Sequence, residues 1–401
     1  MERESANNGA FTFLPQERVI FGAGCVRQLA AEIDRLGCQR AFVITGTTIA
    51  TKTDLLTRLQ ELLGPRYVGV FYPITQHVPR GDVIAAASRA RAARADALVS
   101  LGGGSPVDGT KAVALCLSEE ITTEAQLEAY RVRGPRGMRF NPRYTGQSMP
   151  HIALTSTLSA GEFTSGFGIT DRSRGVKEGY GAPPFVPRVV LLDPELTVHT
   201  PAWLWASTGM RAVDHAVERL YSPKHNPVVD TLCLQALRYL FDHLARATGH
   251  ARDLEARLNC QLGAWMSIMG FASVRTGISH AIGHQLGGHC HVPHGQTSCI
   301  MLPHAMEFNL PAAADRLALV AQAASIDRRG LTTEEAARAA VDVVRTLVSN
   351  LGCPTRLRDV GVQEADFPLL AEAVMEEVPL MENPRPISGV ADIIDLLERA
   401  W

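Results

Sequence analysis

The chain has 401 residues, a length that fits two or three domains. Hydrophobic residues make up 46% and charged residues 20% of it, the balance of a globular protein with a large core. A formal net charge of −2 without a basic tract argues against a nucleic-acid partner, and the lack of any run of eighteen apolar residues argues against a membrane span.

The first residues, MERESANNGAFTFLPQ, lack the basic-then-apolar pattern of a secretory signal. Eight cysteines stand at 25, 38, 116, 233, 260, 290, 299 and 353, and none form Cys-x-x-Cys. Reduced thiols in a cytoplasmic protein are expected, with neither a disulfide frame nor a zinc site.

Along the chain, strand and helix signals alternate first. RVIFG (18–22) is a short apolar run ended by glycine, and CVRQLAAEIDRLG (25–37) has helical spacing with a glycine stop. RAFVITG (40–46) reads as a buried strand, followed by one helix over IATKTDLLTRLQELLG. RYVGVFYP, RGDVIAAASRARAARA and DALVSLGGG (96–104) continue as strand, helix and strand. Strand signals return in PHIALTST, FGITD and RVVLLDP between Met149 and Asp193. This alternation predicts a parallel sheet with helical crossovers. The basic, glycine-rich stretch 130–147 reads as a loop at a cleft edge or a mobile one.

After about Pro194 only helical periodicity remains, in AWLWASTGMRAVDHAVERLYS, VVDTLCLQALRYLFDHLARATG, ARDLEARLNCQLGAWMSIMGFAS, AADRLALVAQAAS and TEEAARAAVDVVRTLVSNLG. The expected architecture is an α/β N-terminal domain with a parallel sheet (1–195) and an all-α C-terminal domain (196–401), with a ligand cleft between them.

Two polar stretches sit at strand ends. SLGGGSPVDGTKAVAL (100–115) sets three glycines and a serine between a strand and a helix, where backbone amides can receive a phosphate. It is neither Gly-x-Gly-x-x-Gly nor a P-loop, and a tight strand-to-helix turn explains it equally well. LTSTLSAGEFTSG (154–166) offers hydroxyls to a nucleotide, or simply bonds its own backbone. Farther on, residues 277–304 hold six of the thirteen histidines. His280 and His284 are four apart, and His294 is expected in a Pro-His-Gly turn.

Taken in order, these stretches resemble the iron-containing alcohol dehydrogenase family of the dehydroquinate-synthase-like superfamily, over nearly the whole chain. The stretches are GGGSPVDGTKAVAL, LTSTLSAGEFTSGFGITD, VVLLDPELT, STGMRAVDHAVERLYS and GISHAIGHQLGGHCHVPHGQTSCIMLPHAMEFN. The departures from the commoner pattern resemble the maleylacetate reductase branch, which reduces maleylacetate to 3-oxoadipate in aromatic degradation. The resemblance implies an NAD(P)-dependent oxidoreductase whose first domain binds the dinucleotide. It assigns the pyrophosphate to Gly102, Gly103, Gly104, Ser105 and Asp108, and the nicotinamide side to Thr155, Ser156 and Ser159. The family's metal is held by one Asp and three His, and the matching positions here are Arg211, His215, His280 and His294. His284 matches the histidine beside the substrate, and His151 lines the same region.

A guanidinium in place of the acidic ligand changes the chemistry. Divalent iron or zinc takes anionic or neutral donors, and a cation beside it costs several kcal/mol even at an effective dielectric near ~20. Asp214 is one residue before His215, so it points about 100° away on an ideal helix and does not simply replace the lost ligand. The expectation is therefore no tightly bound metal. Arg211, His215, His280 and His294 would instead polarise a carbonyl or stabilise an enolate, and His284 would donate the proton.

Gly46 stands after the second strand, where an acidic residue would read the adenine ribose; without it, NAD(H) and NADP(H) are both expected to be accepted. The partner is expected to be a small carboxylate, and the assembly a homodimer. His289, His291 and His304 are expected to be loop or packing residues, and Lys177 and Arg172 solvated charges. Arg211 could instead be a buried ion-pair partner of Asp214 or Glu218. Three other activities stay open: a metal-dependent alcohol dehydrogenase completed by Asp214 or water, a non-redox enzyme of the superfamily, and a pseudoenzyme.

Overall fold

Short apolar runs with no polar alternation form strands covered on both faces, and the first half of the chain contains several. The computed structural model describes residues 10–133 and 142–401, so the centre of the loop expected over 130–147 lies outside the described residues. Two units separate at Thr200 and Pro201, with the N-terminal segment up to Phe13 belonging to the second.

The first unit runs β1 (Arg18–Phe21), α1 (Leu29–Arg35), β2 (Ala41–Thr45), α2 (Thr47–Lys52), α3 (Leu55–Leu63), β3 (Tyr67–Phe71), α4 (Arg80–Ala92), β4 (Ala97–Gly102), α5 (Gly104–Ser118), β5 (His151–Thr155), β6 (Gly166–Asp171), β7 (Val176–Gly181) and β8 (Val189–Leu192). Six strands form one parallel sheet in the order β1-β8-β5-β4-β2-β3. The four inner strands are buried along their whole length. One face packs Leu29, Ile33, Leu55 and Leu59, and the other packs Val83, Ala87, Val113 and Cys116.

The chain leaves β2 outward to β3 and then returns to β4 on the other side of β2. The carboxyl ends of β2 and β4 therefore flank a switch point, where open α/β sheets take ligands. Thr45 Oγ1 donates to Leu101 O across that junction at 2.7 Å.

Two local expectations need correction. The helix expected over 49–64 is two helices, because Thr53 is extended and its hydroxyl donates to Ile49 O at 2.7 Å and accepts from Leu55 N. A side chain that bonds the backbone locally competes with the helix ladder. The FGITD strand is not in the parallel sheet: β6 pairs antiparallel with β7 as a separate hairpin. The second arm, VKEGYG, escapes a hydrophobic reading because two glycines and two charges dilute its pattern. Its Glu178 is buried only because Arg80, Arg131 and Arg174 surround it.

The second unit is helical: α6 (Ala202–Tyr221), α7 (Pro227–Gly249), α8 (Leu254–Ile268), α9 (Ile278–His289), α10 (His294–Ala323), α11 (Thr333–Asn350), α12 (Phe367–Met375) and α13 (Val390–Ala400). None of the described helices is long and apolar enough to cross a membrane, and all eight cysteines are free thiols. α10 carries Pro303 and Pro311 and kinks at Ala313.

Glycines let three of these helices approach closely. A Cβ on Gly283 would meet Thr297 Oγ1 at 2.7 Å, and one on Gly287 would meet the His294 ring at 2.8 Å. A Cβ on Gly295 would meet the Ser207 backbone at 2.7 Å. α6, α9 and α10 thus cross at near backbone contact, which brings short side chains of separate helices together.

Arg219 on α6 fixes the chain between α8 and α9. Its guanidinium is wholly buried and donates to the carbonyls of Val274 at 2.9 Å, Ser267 at 2.5 Å and Met269 at 2.7 Å. Burial lowers its pKa, as expected for a cation held by dipoles rather than by an anion. Arg219→Leu would strand three buried acceptors, so we expect a loss on the order of 3–5 kcal/mol in urea unfolding. A loss under about 1 kcal/mol would show that water replaces the guanidinium at little cost.

Candidate functional site

At the end of β4, Gly102 has φ +144°, and a Cβ there would meet Pro106 Cγ at 2.7 Å. A Cβ on Gly103 would meet Thr157 at 2.9 Å. Only glycines let this turn lie against the 155–159 segment, and no side chain caps the start of the fifteen-residue α5. Ser156 N donates to Gly102 O at 2.9 Å, so the two polar stretches at the strand ends do adjoin. The buried Thr155 hydroxyl has no hydrogen-bond partner among the described residues. Ser159 Oγ accepts from Thr157, and Ser105 stands in the first turn of α5. Gly46 caps α2 on the neighbouring strand end. This cradle suits the pyrophosphate and sugar of a dinucleotide.

Asp108 acts within the fold itself, because its Oδ2 accepts from Gly168 N at 3.2 Å and ties α5 to the hairpin. Lys111, three residues on, is fully buried and donates to the carbonyls of Gly161, Thr164 and Gly166 at 2.7, 2.8 and 3.0 Å. Burial lowers its pKa to about 8, against the pull of Asp108 and Glu162. Burial likewise raises Glu162 to about 7. The segment 155–166 is therefore shaped by a buried cation beneath it.

In the helical unit the four candidate imidazoles form a continuous chain. Ring centroids lie 4.9 Å apart for His215 and His280, 6.4 Å for His280 and His284, and 6.1 Å for His284 and His294. His215 comes from α6, His280 and His284 from successive turns of α9, and His294 from the first turn of α10. His294 thus opens a helix rather than sitting in a turn, because Pro293 with φ −57° precedes it as the helix cap.

Arg211, one turn before His215, donates from Nη1 to Ser298 Oγ at 3.3 Å. Ser298, on α10, thus ties the guanidinium of α6 to the neighbouring helix. Among the described residues no carboxylate is in direct ion-pair contact with Arg211.

Behind the imidazoles lie two carboxylates. Glu218 Oε2 accepts from His280 Nδ1 at 2.7 Å and Gly277 N at 2.7 Å, and its Oε1 from Ser279 N at 2.7 Å and Tyr221 OH at 3.2 Å. Asp214 Oδ2 accepts from Ser279 Oγ at 2.9 Å and lies 3.4 Å from His280 Nδ1. Asp214 therefore does face the cluster. It points away from the Arg211–His215 line on its own helix, but α9 comes to meet it. Asp214, Glu218 and His280 bring three donor atoms within 4.8 Å of one another, the one such group among the described residues.

Charge states follow from these contacts. Burial and Arg211 push His280 down, but Asp214 and Glu218 outweigh them and its pKa is raised. Burial, then His280 and Arg211, hold His215 well below the usual imidazole range, so it is neutral. Burial alone would raise Asp214, but His280 and Arg211 bring it down. Burial lowers the pKa of Arg211, and Asp214 and Glu218 oppose the shift.

The remaining predicted positions lie elsewhere. His289 and His291 are exposed, and His304 is farther along α10. Arg172 is exposed and reaches Thr75, and Lys177 is an exposed residue of the hairpin. His151 is buried in β5 against Ser100 Oγ at 2.8 Å, neutral, with burial lowering its pKa to about 3. Sequence reasoning misses Ser298, Thr157, Lys111 and Glu377, the last of which reaches His284 Nδ1 at 3.2 Å. It leaves Glu218 as one alternative partner of Arg211. Glu218 alone carries a local signal, one turn after Asp214 on the helix of His215.

The chain matches the family described as iron-containing alcohol dehydrogenase over residues 15–194, and Fe-containing alcohol dehydrogenase family, C-terminal, over residues 205–401. It is 32% identical over 376 residues to maleylacetate reductase 1 of Cupriavidus pinatubonensis, covering 93% of this chain and 92% of that protein. It is 30% identical over 391 residues to the NAD-dependent methanol dehydrogenase of Bacillus methanolicus, covering 97% and 99%. Its fold superposes on a crystal structure of a 1,3-propanediol oxidoreductase with TM-score 0.89 at 29% identity, covering 98% and 100%.

The buried Glu162 makes a testable pH signature. Its folded pKa of about 7 exceeds the ordinary 4.5, so its contribution to stability is full below 4.5 and is lost as pH rises through 7. Lys111, depressed from 10.5 to about 8, contributes in the opposite sense and only above that range. Between pH 4.5 and 7, Glu162→Gln should gain on the parent protein by up to about 3 kcal/mol in urea midpoints. A difference that stays constant across those pH values would refute the assignment.

Proposed function

Since the chain belongs to the iron-containing alcohol dehydrogenase family and is a nicotinamide-dependent oxidoreductase, we propose that it reduces a small carbonyl compound bearing a carboxylate, as its maleylacetate reductase relatives do. The observation that carries this reading is Arg211, a permanent cation close to His215 and His280 and held by Ser298.

The donors do not suit a resident divalent ion. Three neutral imidazoles suffice to hold a zinc ion elsewhere, but here Arg211 sets a permanent positive charge beside them. Glu218 already accepts from five donors, and the His280 nitrogen facing it is engaged. His280 bonded to a carboxylate through Nδ1 is an arrangement also found behind metal ligands, and the Asp214–Glu218–His280 group favours a second reading, a metal-dependent alcohol dehydrogenase.

In the proposed reaction the reduced nicotinamide supplies a hydride, and Gly102, Gly103, Gly104, Ser105, Thr155, Ser156 and Ser159 hold the dinucleotide. On an unsaturated keto acid the hydride adds to the alkene carbon, and the electron pair moves onto the ketone oxygen as an enolate. Arg211 and His280 stabilise that oxygen's charge, with neutral His215 and with His294 as hydrogen-bond donors beside it. His284 then delivers a proton to the enolate's own α-carbon, next to the carbon that received the hydride, which re-forms the ketone and completes a saturated keto acid. Gly46 presents no carboxylate against a 2′-phosphate, so either NADH or NADPH serves. A cytoplasmic homodimer in aromatic-compound breakdown is the setting this reading fits.

Protein stripped by a chelator and checked for metal should keep its activity on an unsaturated keto acid, read as loss of reduced-cofactor absorbance with NADH and with NADPH. Arg211→Ala should lower kcat/KM by roughly 10²–10³-fold. Activity that vanishes on chelation and returns with iron or zinc would favour the second reading, and strict refusal of NADPH would count against the role given to Gly46.

A further inference from the structure

His284 is a partly exposed member of the imidazole chain, with its side chain 40% accessible, whereas the Glu377 side chain beside it is only 12% accessible. Its Nδ1 lies 3.2 Å from Glu377 Oε2, contributed by a segment 93 residues away. The other oxygen of that carboxylate accepts from Gln285 Nε2 at 2.5 Å, so consecutive residues of α9 grip both oxygens.

The segment that brings Glu377 is anchored on each side. Its amide donates to Val374 O at 2.9 Å, closing the end of α12. Leu380, three residues on, packs in a core with Ile278, Ala281, Ile282 and Leu286 of α9. The carboxylate therefore has little freedom to leave the imidazole.

A carboxylate only accepts hydrogen bonds, so the ring nitrogen facing it must carry the hydrogen. A neutral His284 is thereby held as the Nδ1–H tautomer, and its Nε2 becomes the nitrogen that takes up and releases a proton. An imidazole without such a partner exchanges tautomers and rotates, and the reactive nitrogen is correctly placed only part of the time.

We propose that Glu377 is the positioning residue for His284: it fixes the tautomer and the ring plane, and Gln285 in turn fixes the carboxylate. This rests on the reading of His284 as the proton donor. The arrangement is a base oriented by a third group, reached here across the chain rather than along one helix.

Ring-nitrogen NMR of histidine-labelled protein tests the claim without relying on turnover, with the His284 signals assigned by their loss in His284→Ala. In the parent protein at a pH where His284 is neutral, Nδ1 should give a protonated-type shift and Nε2 an unprotonated-type shift. Glu377→Ala should move both toward averaged values. It should lower kcat by roughly 10- to 100-fold with KM nearly unchanged. Glu377→Gln keeps the side-chain size, serves if the alanine variant does not fold, and should be less impaired than Glu377→Ala. Adding Glu377→Ala to His284→Ala should cost no further rate.

Unchanged ring shifts in both Glu377 variants would overturn the proposal, as would a further loss of rate in the double variant. A fully active His284→Ala would instead remove the proton-donor reading, while the ring shifts would still decide whether Glu377 sets the tautomer.

Discussion

A single carboxylate, Glu218, joins the two helices that carry three of the imidazoles. It projects from α6 and accepts the amides of Gly277 and Ser279 at the start of α9, together with Nδ1 of His280. A helix start has unpaired amides and a partial positive charge, so an anion there is favourable twice over. The same contact sets the direction of the His280 ring. Moving Glu218 would therefore disturb the entry of α9, the facing of His280 and, one turn later, the placement of His284.

Asp214 and Glu218 are two fully buried carboxylates, and the two basic groups that face them are the half-buried Arg211 and His280, whose pKa they raise. Buried ions persist only when paired and hydrogen bonded, and Ser298 and Ser279 complete the pairing. The same count explains how an arginine could stand in an acidic ligand's place. A carboxylate with a divalent ion carries a single positive charge in sum, and a guanidinium alone carries the same. On the proposed reading Arg211 restores the local charge that the ion and its anchor would have had, and the neighbouring residues need no further compensation.

Much of the frame is legible in the sequence because it is written in local patterns. Uninterrupted apolar runs such as AFVIT and ALVSLG form inner strands, and four-residue spacing puts Arg211 and His215 on one helix face and His280 and His284 on another. The glycine turn is legible for the same reason, since only its residue types fit. What escapes is set by distant contacts. Nothing near His284 announces Glu377, and nothing near Arg211 announces Ser298, 87 residues on. The one-helix geometry that sets Asp214 aside is correct for α6 and silent about α9. The hairpin arm with Glu178 escapes for a related reason: its burial depends on arginines from two distant segments, Arg80 and Arg131, besides Arg174 of its own turn.

On the proposed reading, the fixed charge of Arg211 excludes a metal from the imidazole site. Calorimetric titration of chelated protein with ferrous or zinc ion, with the Arg211→Asp variant alongside, measures this directly. We expect no stoichiometric binding by the parent protein and about one equivalent bound by the variant, which regains an acidic ligand one turn from His215. One tight equivalent in the parent protein, lost when His215 and His280 are replaced, would contradict the account.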